Sequence, residues 1–268
     1  MDLISSADNL NEQNVRKLTV SEESRSQIAI YEVFRVVEGK PKFLNEHLLR
    51  LRNSAEILGI TLWLSDQEIE NRVKALIQQH STDTGNVKLV FASEIANYIL
   101  TESFSAFFIA HNYPTPEQYT KGVPTVLLHS ERKTPNAKVF QSNLREQADN
   151  AIKQHNAYEA ILVNAEGFIT EGSKSNIFFV KGEAVFTSPL ENVLPGVTRQ
   201  KVVELCTTNH LILHEKAVST NELASFDAAF ITGTSPQVLP ISNIENICFD
   251  VNNLILRKLM QLFNLKAE

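Results

Sequence analysis

The run Thr170-Glu171-Gly172-Ser173-Lys174-Ser175-Asn176-Ile177-Phe178-Phe179-Val180 lies just past the middle of the chain. Before it stand Ala160-Ile161-Leu162-Val163 and a polar turn, Asn164-Ala165-Glu166-Gly167. After it come Lys181-Gly182-Glu183 and a further apolar run, Ala184-Val185-Phe186-Thr187. Apolar and aromatic runs punctuated by Gly-containing turns predict strand, hairpin, strand, turn, strand. One carboxylate, Glu171, stands inside this apolar region beside a glycine and small polar residues. A carboxylate taken out of water needs a cation or strong donors. Glu171 is therefore a candidate binding residue, and the plain alternative is an exposed charge at a strand edge.

The chain of 268 residues is long enough for two domains. With 43% hydrophobic and 21% charged residues, a packed core is expected and disorder is not. The net charge of −6 and the lack of a basic block argue against nucleic acid as a partner. Cys206 and Cys248 are too few and too far apart for a disulfide scaffold, and their apolar surroundings predict buried, inert thiols. Residues 1–12 are polar and acidic and do not read as a signal peptide. No apolar run reaches membrane-spanning length, so a cytoplasmic protein without a membrane partner is expected.

Residues 1–24 read as irregular, with one short strand near the apolar patch at 15–20. Gln27–Val37 and Lys42–Leu44 predict a hairpin around Glu38-Gly39-Lys40-Pro41. Asn45 is the expected N-cap of a helix over 46–58, whose Leu48, Leu51, Ala55 and Leu58 share a face. Ser65-Asp66 caps a second helix, and two strands follow to His111. Pro114, Pro116 and Gly122 mark residues 114–122 as a linker between a small domain, 1–113, and a larger one, 123–268. In the larger domain a strand over 124–129 and a helix over 142–156 precede the central hairpins. Leu194-Pro195-Gly196-Val197-Thr198-Arg199 opens another helix, and Ala228–Thr232 is a strand ending in Gly233-Thr234-Ser235. A C-terminal helix is expected over 253–263.

Four features carry chemistry. Gly196-Val197-Thr198 opens a helix, where backbone N–H groups and the dipole suit phosphate, although such a loop also serves as a bare helix start. Thr232-Gly233-Thr234-Ser235 offers small hydroxyl residues to an anion, or forms a plain turn. Lys138, between Ala137 and Val139-Phe140, is an amine in an apolar setting that can form a Schiff base; Lys133 rivals it, and a surface lysine is the bland alternative. Glu171 is the fourth.

The order of these features resembles the class IV aminotransferases, the pyridoxal-phosphate enzymes of fold type IV. The family includes branched-chain and D-amino-acid aminotransferases and aminodeoxychorismate lyases. The likeness runs from about residue 27 to about residue 241 and rests on five stretches. They are Tyr31-Glu32 with His47-Leu48-Leu49-Arg50-Leu51-Arg52-Asn53-Ser54-Ala55; Lys138 ahead of Glu159-Ala160-Ile161-Leu162; Glu171 to Phe178; Leu194 to Arg199; and Gly233-Thr234-Ser235. The resemblance implies a mixed α/β, two-domain fold, with a small α/β domain and a larger β-barrel-like domain carrying helices.

It also implies roles. Lys138 holds pyridoxal 5'-phosphate as an internal aldimine and then shuttles a proton. Glu171 keeps the pyridine nitrogen protonated. Arg50, Val197, Thr198, Gly233 and Thr234 surround the phosphate, with arginine the best match in shape. Leu194 packs on a ring face, and Tyr31 points to the substrate. The implied partners are an amino acid, a 2-oxo acid and a second copy of the chain in a homodimer. Two departures bear on substrate. Gln27-Ile28-Ala29 replaces the family's Gly-Asp-Gly, and Ala92-Ser93-Glu94 replaces the arginine with which D-amino-acid enzymes trap a carboxylate. Transamination is the leading expectation. The alternatives are 4-amino-4-deoxychorismate lysis, releasing pyruvate and 4-aminobenzoate, and a relative without catalysis.

Overall fold

The computed structural model describes residues 9–17, 26–80, 83–96 and 99–267. Residues 18–20 of the first apolar patch, and residues 97 and 98 of an expected strand, lie outside them. The chain divides into two compact units, Met1–His111 with Ala137–Phe140, and Asn112–Asn136 with Gln141–Glu268.

The first unit is an antiparallel sheet with two helices. Its strands are β1 (Asn9–Lys17), β2 (Ser26–Val37), β3 (Lys40–Pro41), β4 (Gly85–Ala96) and β5 (Ile99–Ile109), in the order β1-β5-β4-β2-β3. The β2–β3 turn is tighter than expected. Glu38 and Gly39 both take positive φ, 51° and 71°, which fits the right-handed twist of a two-residue hairpin. Helix α1 (Leu44–Ile57) starts two residues before the expected site, and Phe43 is its N-cap instead of Asn45. Helix α2 (Asp66–Gln79) has the expected cap: Ser65 and Glu68 close a capping box. The sheet's inward face meets both helices around Phe34, Leu48, Leu51, Ile69, Leu89 and Phe104. Ala137–Phe140 belongs to this unit because Val139 bridges Ile30 and the Tyr31 N–H donates to the Lys138 carbonyl at 3.1 Å.

The second unit opens where a linker was expected. Residues 116–121 form α3 (Pro116–Lys121), with Thr115 and Gln118 closing a capping box and Pro116 in the first turn. Proline there starts a helix because its missing N–H has no intrahelical acceptor anyway. The Tyr119 hydroxyl donates to the Pro236 carbonyl, so this helix is tied into its unit.

The ten-stranded mixed sheet of this unit contains β6 (Val123–His129), β7 (Glu159–Val163), β8 (Phe168–Gly172), β9 (Asn176–Lys181), β10 (Ala184–Thr187), β11 (Ile212–Glu215), β12 (Val218–Ser219), β13 (Ala228–Gly233), β14 (Gln237–Ile244) and β15 (Ile247–Cys248). Helices α4 (Ser142–His155), α5 (Val197–Thr208) and α6 (Leu254–Ala267) accompany it. Along the sheet β8 and β9 are five steps apart, through β7, β6, β14 and β13. In a flat sheet that is about 24 Å. Yet only residues 173–175 join the two strands, a reach of at most about 14 Å from Gly172 to Asn176. The sheet must therefore curl round, as the barrel-like expectation requires. Ile161, Ile177, Phe179, Ile231 and Leu239 pack together on one face of it, and Phe178 and Phe230, alternate along their strands, stack on the other with centroids 5.0 Å apart.

Cys206 is buried, and burial pushes its thiol up to about 11. Cys248 is exposed, against expectation, because it sits in the two-residue strand β15, which pairs with β14 alone. No helix among the described residues is long and apolar enough to cross a membrane.

Candidate active site

In the first unit β2 turns Ile30, Glu32, Phe34 and Val36 inward and Tyr31 to the other face. Glu32 is a carboxylate in a core position. Helix α1 answers it with His47 and Arg50, three residues apart on one face. Arg50 Nε donates to Glu32 Oε1 at 2.7 Å and Nη2 to Oε2 at 2.6 Å; His47 Nδ1 lies 2.8 Å from Oε2. Burial alone would raise the Glu32 carboxyl. The Arg50 charge and the hydrogen bonds from Arg50 and His47 outweigh it and lower it to about 2. His47 moves below its ordinary value through burial, which outweighs the pull of Glu32 and is aided by the Arg50 and Lys138 charges.

Lys138 joins this group through its backbone. Its N–H donates to Ser54 Oγ at 3.1 Å, and that hydroxyl donates to the Arg50 carbonyl at 2.9 Å. Lys138 Nζ lies 4.8 Å from the Tyr31 ring centroid, and Lys88 Nζ lies 4.9 Å from the same centroid. The unit thus gathers Lys138, Tyr31 and Arg50. Lys138 is half-buried whereas Lys133 is exposed.

In the second unit Glu171 lies near the end of β8 and is 2% exposed, so it is not an edge charge. The cation beside it is Arg132, whose Nε donates to Glu171 Oε1 at 2.7 Å and whose Nη2 donates to the Ser173 carbonyl at 2.9 Å. The Leu194 N–H reaches Glu171 Oε2 at 3.3 Å. The Leu194 carbonyl accepts from Asn176 Nδ2 at 2.9 Å and from the Gly196 N–H at 2.7 Å.

Gly196 is the N-cap of α5, and among the described residues no side chain caps it. A Cβ at Gly196 would run into Asn176 Oδ1. The helix start therefore presents the backbone of Val197 and Thr198, at the positive end of the dipole. Thr232 faces Asn176 in the β13–β9 register, and among the described residues its buried Oγ1 finds no hydrogen-bond partner. Gly233 ends β13 near the Lys174 carbonyl, which a Cβ there would approach to 3.5 Å, and Thr234 follows it. Glu171, Leu194, Val197, Thr198 and Gly233-Thr234 are thus arranged around one strand-and-turn framework.

That framework rests on Glu159. Its buried carboxylate accepts from the Ala160 N–H (2.9 Å), Ser173 Oγ (2.7 Å), the Lys174 N–H (3.2 Å) and Ser175 Oγ (2.9 Å). Arg199 is explained by packing: it donates to the Ser188 carbonyl and to Glu215, tying α5 to β11. Sequence reasoning passed over Arg132, Glu159, Asn176 and the Glu32–His47 pair as site-builders. Glu32 left a signal, since it falls on the inward phase of β2. Arg132 left none, because residues 130–136 carry no periodicity.

Residues 29–244 match the model of the family "Amino-transferase class IV", and the chain belongs to that family of pyridoxal-phosphate-dependent enzymes. A D-alanine aminotransferase of Bacillus licheniformis is 32% identical over 229 residues, which cover 81% of this chain and 78% of that one. Two solved structures share the fold. One, assigned to 4-amino-4-deoxychorismate lyase from Legionella pneumophila, has TM-score 0.77 at 24% identity, covering 90% of this chain and 91% of the other. The other is a branched-chain amino acid aminotransferase from Escherichia coli, TM-score 0.78 at 21% identity, covering 90% and 86%. The fold is fold type IV, mixed α/β.

Proposed function

We propose that this chain transfers an amino group between an amino acid and a 2-oxo acid, using pyridoxal 5'-phosphate held at Lys138. The observation that carries the reading is Leu194. Its N–H meets the buried Glu171 carboxylate, and its carbonyl accepts from Gly196 at the start of α5. A group with a cationic ring nitrogen and an anionic phosphate needs those two ends. In support, that helix start has no side-chain cap among the described residues, and the glycine leaves room there that a Cβ, running into Asn176 Oδ1, would not.

Glu171 would hold the ring nitrogen in its protonated form. The Val197 and Thr198 backbone, the Thr198 and Thr234 hydroxyls and Arg50 would bind the phosphate, with Gly233 allowing close approach. Leu194 would pack on a ring face. Bound pyridoxal phosphate supplies an electron sink for charge developing at the substrate α-carbon. Lys138 Nζ would hold the cofactor, take the proton from that α-carbon and hand it on. Tyr31 would stand beside this amine on the substrate side and restrict its position. A homodimer in the cytoplasm remains part of the proposal.

The test is reconstitution with pyridoxal phosphate. A visible band should appear, borohydride should discharge it, and the label should map to Lys138. K138A should take no label while K133A labels normally. A colourless protein that retains no cofactor would overturn the reading. Keto-acid formation from a panel of L- and D-amino acids should exceed pyruvate release from aminodeoxychorismate. The Legionella likeness, which spans most of both chains, makes lysis the second reading, and the reverse ratio would establish it.

A further inference from the structure

Resting on the reading above, we propose that Arg132 is the positioning residue of the ring-nitrogen anchor: it holds Glu171 as an oriented anion before the cofactor arrives. Arg132 is well placed for this. Its side chain is 9% exposed, against 2% for Glu171, and their contact is 2.7 Å. The second contact, Nη2 to the Ser173 carbonyl, fixes the plane of the guanidinium relative to the β8–β9 turn. The same stretch of chain is pinned at its other end, where Asn136 Nδ2 donates to the Leu190 and Val193 carbonyls at 2.8 and 2.9 Å. Arg132 is thus held by its surroundings, and Glu171 is held by Arg132.

The charge balance points the same way. Burial favours the neutral form of a carboxyl. Glu159, whose side chain a Cβ at Gly172 would touch at 3.1 Å, adds a second carboxylate beneath the turn. Opposing these are Arg132 directly and Arg145 of α4, whose Nη2 reaches the Ser173 carbonyl at 3.3 Å. Of the two arginines, it is Arg132 that bonds the Glu171 oxygen. Without it, burial favours the protonated form of Glu171, which would then have to give that proton up when a protonated ring binds.

The test is therefore proton balance on loading. Wild type, R132Q, R132K, E171Q and R132Q/E171Q are titrated with pyridoxal 5'-phosphate by calorimetry, in buffers of different ionisation enthalpy, from pH 6 to 8. R132Q should release about one proton more than wild type, by linkage. The ratio of its Kd to that of wild type should fall by up to about tenfold per pH unit as pH rises. R132K should restore the wild-type balance, and R132Q should change nothing in the E171Q background. Equal proton balance for loaded R132Q and wild type overturns the proposal. If R132Q does not fold, recovery of folding in R132Q/E171Q supports the pairing and its absence overturns it. A wild type that fails to load sinks the underlying cofactor reading instead, so the two failures are distinct.

Discussion

Arg50 lies edge-on to Glu32, two nitrogens against two oxygens at 2.7 and 2.6 Å, with side chains 7% and 0% exposed. This fork sets the direction of the arginine proposed for the phosphate. E32Q leaves the guanidinium buried without a counter-charge, and breaking such a pair costs about 3–5 kcal/mol. The apolar double replacement E32L/R50M should lose less in urea unfolding. The pH sign follows from the carboxyl, which falls from 4.5 to about 2 on folding. Its contribution is full above pH 4.5 and is lost as pH drops through 2. E32Q should flatten that acid limb.

His47 predicts a second pH effect, at milder acidity. Its folded value lies below the ordinary 6.5. The unfolded chain therefore binds the proton first, and stability falls as pH drops from 6.5 through the depressed value. H47Q should remove this component from a plot of unfolding free energy against pH. A slope below pH 6.5 unchanged in H47Q would assign the effect to other groups.

Gly196 is a position where a methyl group has no room. In G196A the new Cβ meets Asn176 Oδ1, whose amide nitrogen holds the Leu194 carbonyl. Overpacking of this kind costs about 1–3 kcal/mol. The loss should appear in thermal unfolding and in weaker retention of inorganic phosphate or pyridoxal phosphate. N176A in the same chain should relieve the clash and return part of the stability. If G196A retains cofactor as wild type does, the cradle assignment is wrong.

Glu159 should be as sensitive as the residues it supports. Two oxygens accept four donors there, which an amide cannot do. E159Q strands two of them, and hydrogen bonds to a charged group are worth about 1.5–3 kcal/mol each. Unfolding free energy should fall by about 3 kcal/mol, and amide exchange at residues 172–175 should quicken. Unchanged exchange would separate Glu159 from the turn.

Much of this was legible in the chain. The hairpins around Glu171 and the helices at Ser65 and Gly196 follow local rules of periodicity and capping, which need no distant partner. Residues 116–121 form a helix where a linker is expected, because the Thr115–Gln118 box makes Pro116 a helix start. Asn45 failed as a cap because Phe43, in the left-handed region, begins α1 earlier.

Most of the order of strands and helices, and the family, could be read along the chain. Such features are set by neighbours within a few positions and by motif spacing. Which charges meet was settled by packing in three dimensions: Arg132 with Glu171, Arg50 with Glu32, and Glu159 with a turn fourteen to sixteen residues away. Charge pairing depends on distance in space, and burial makes each unmatched choice costly, so the partners are fixed by the fold and carry no local signature.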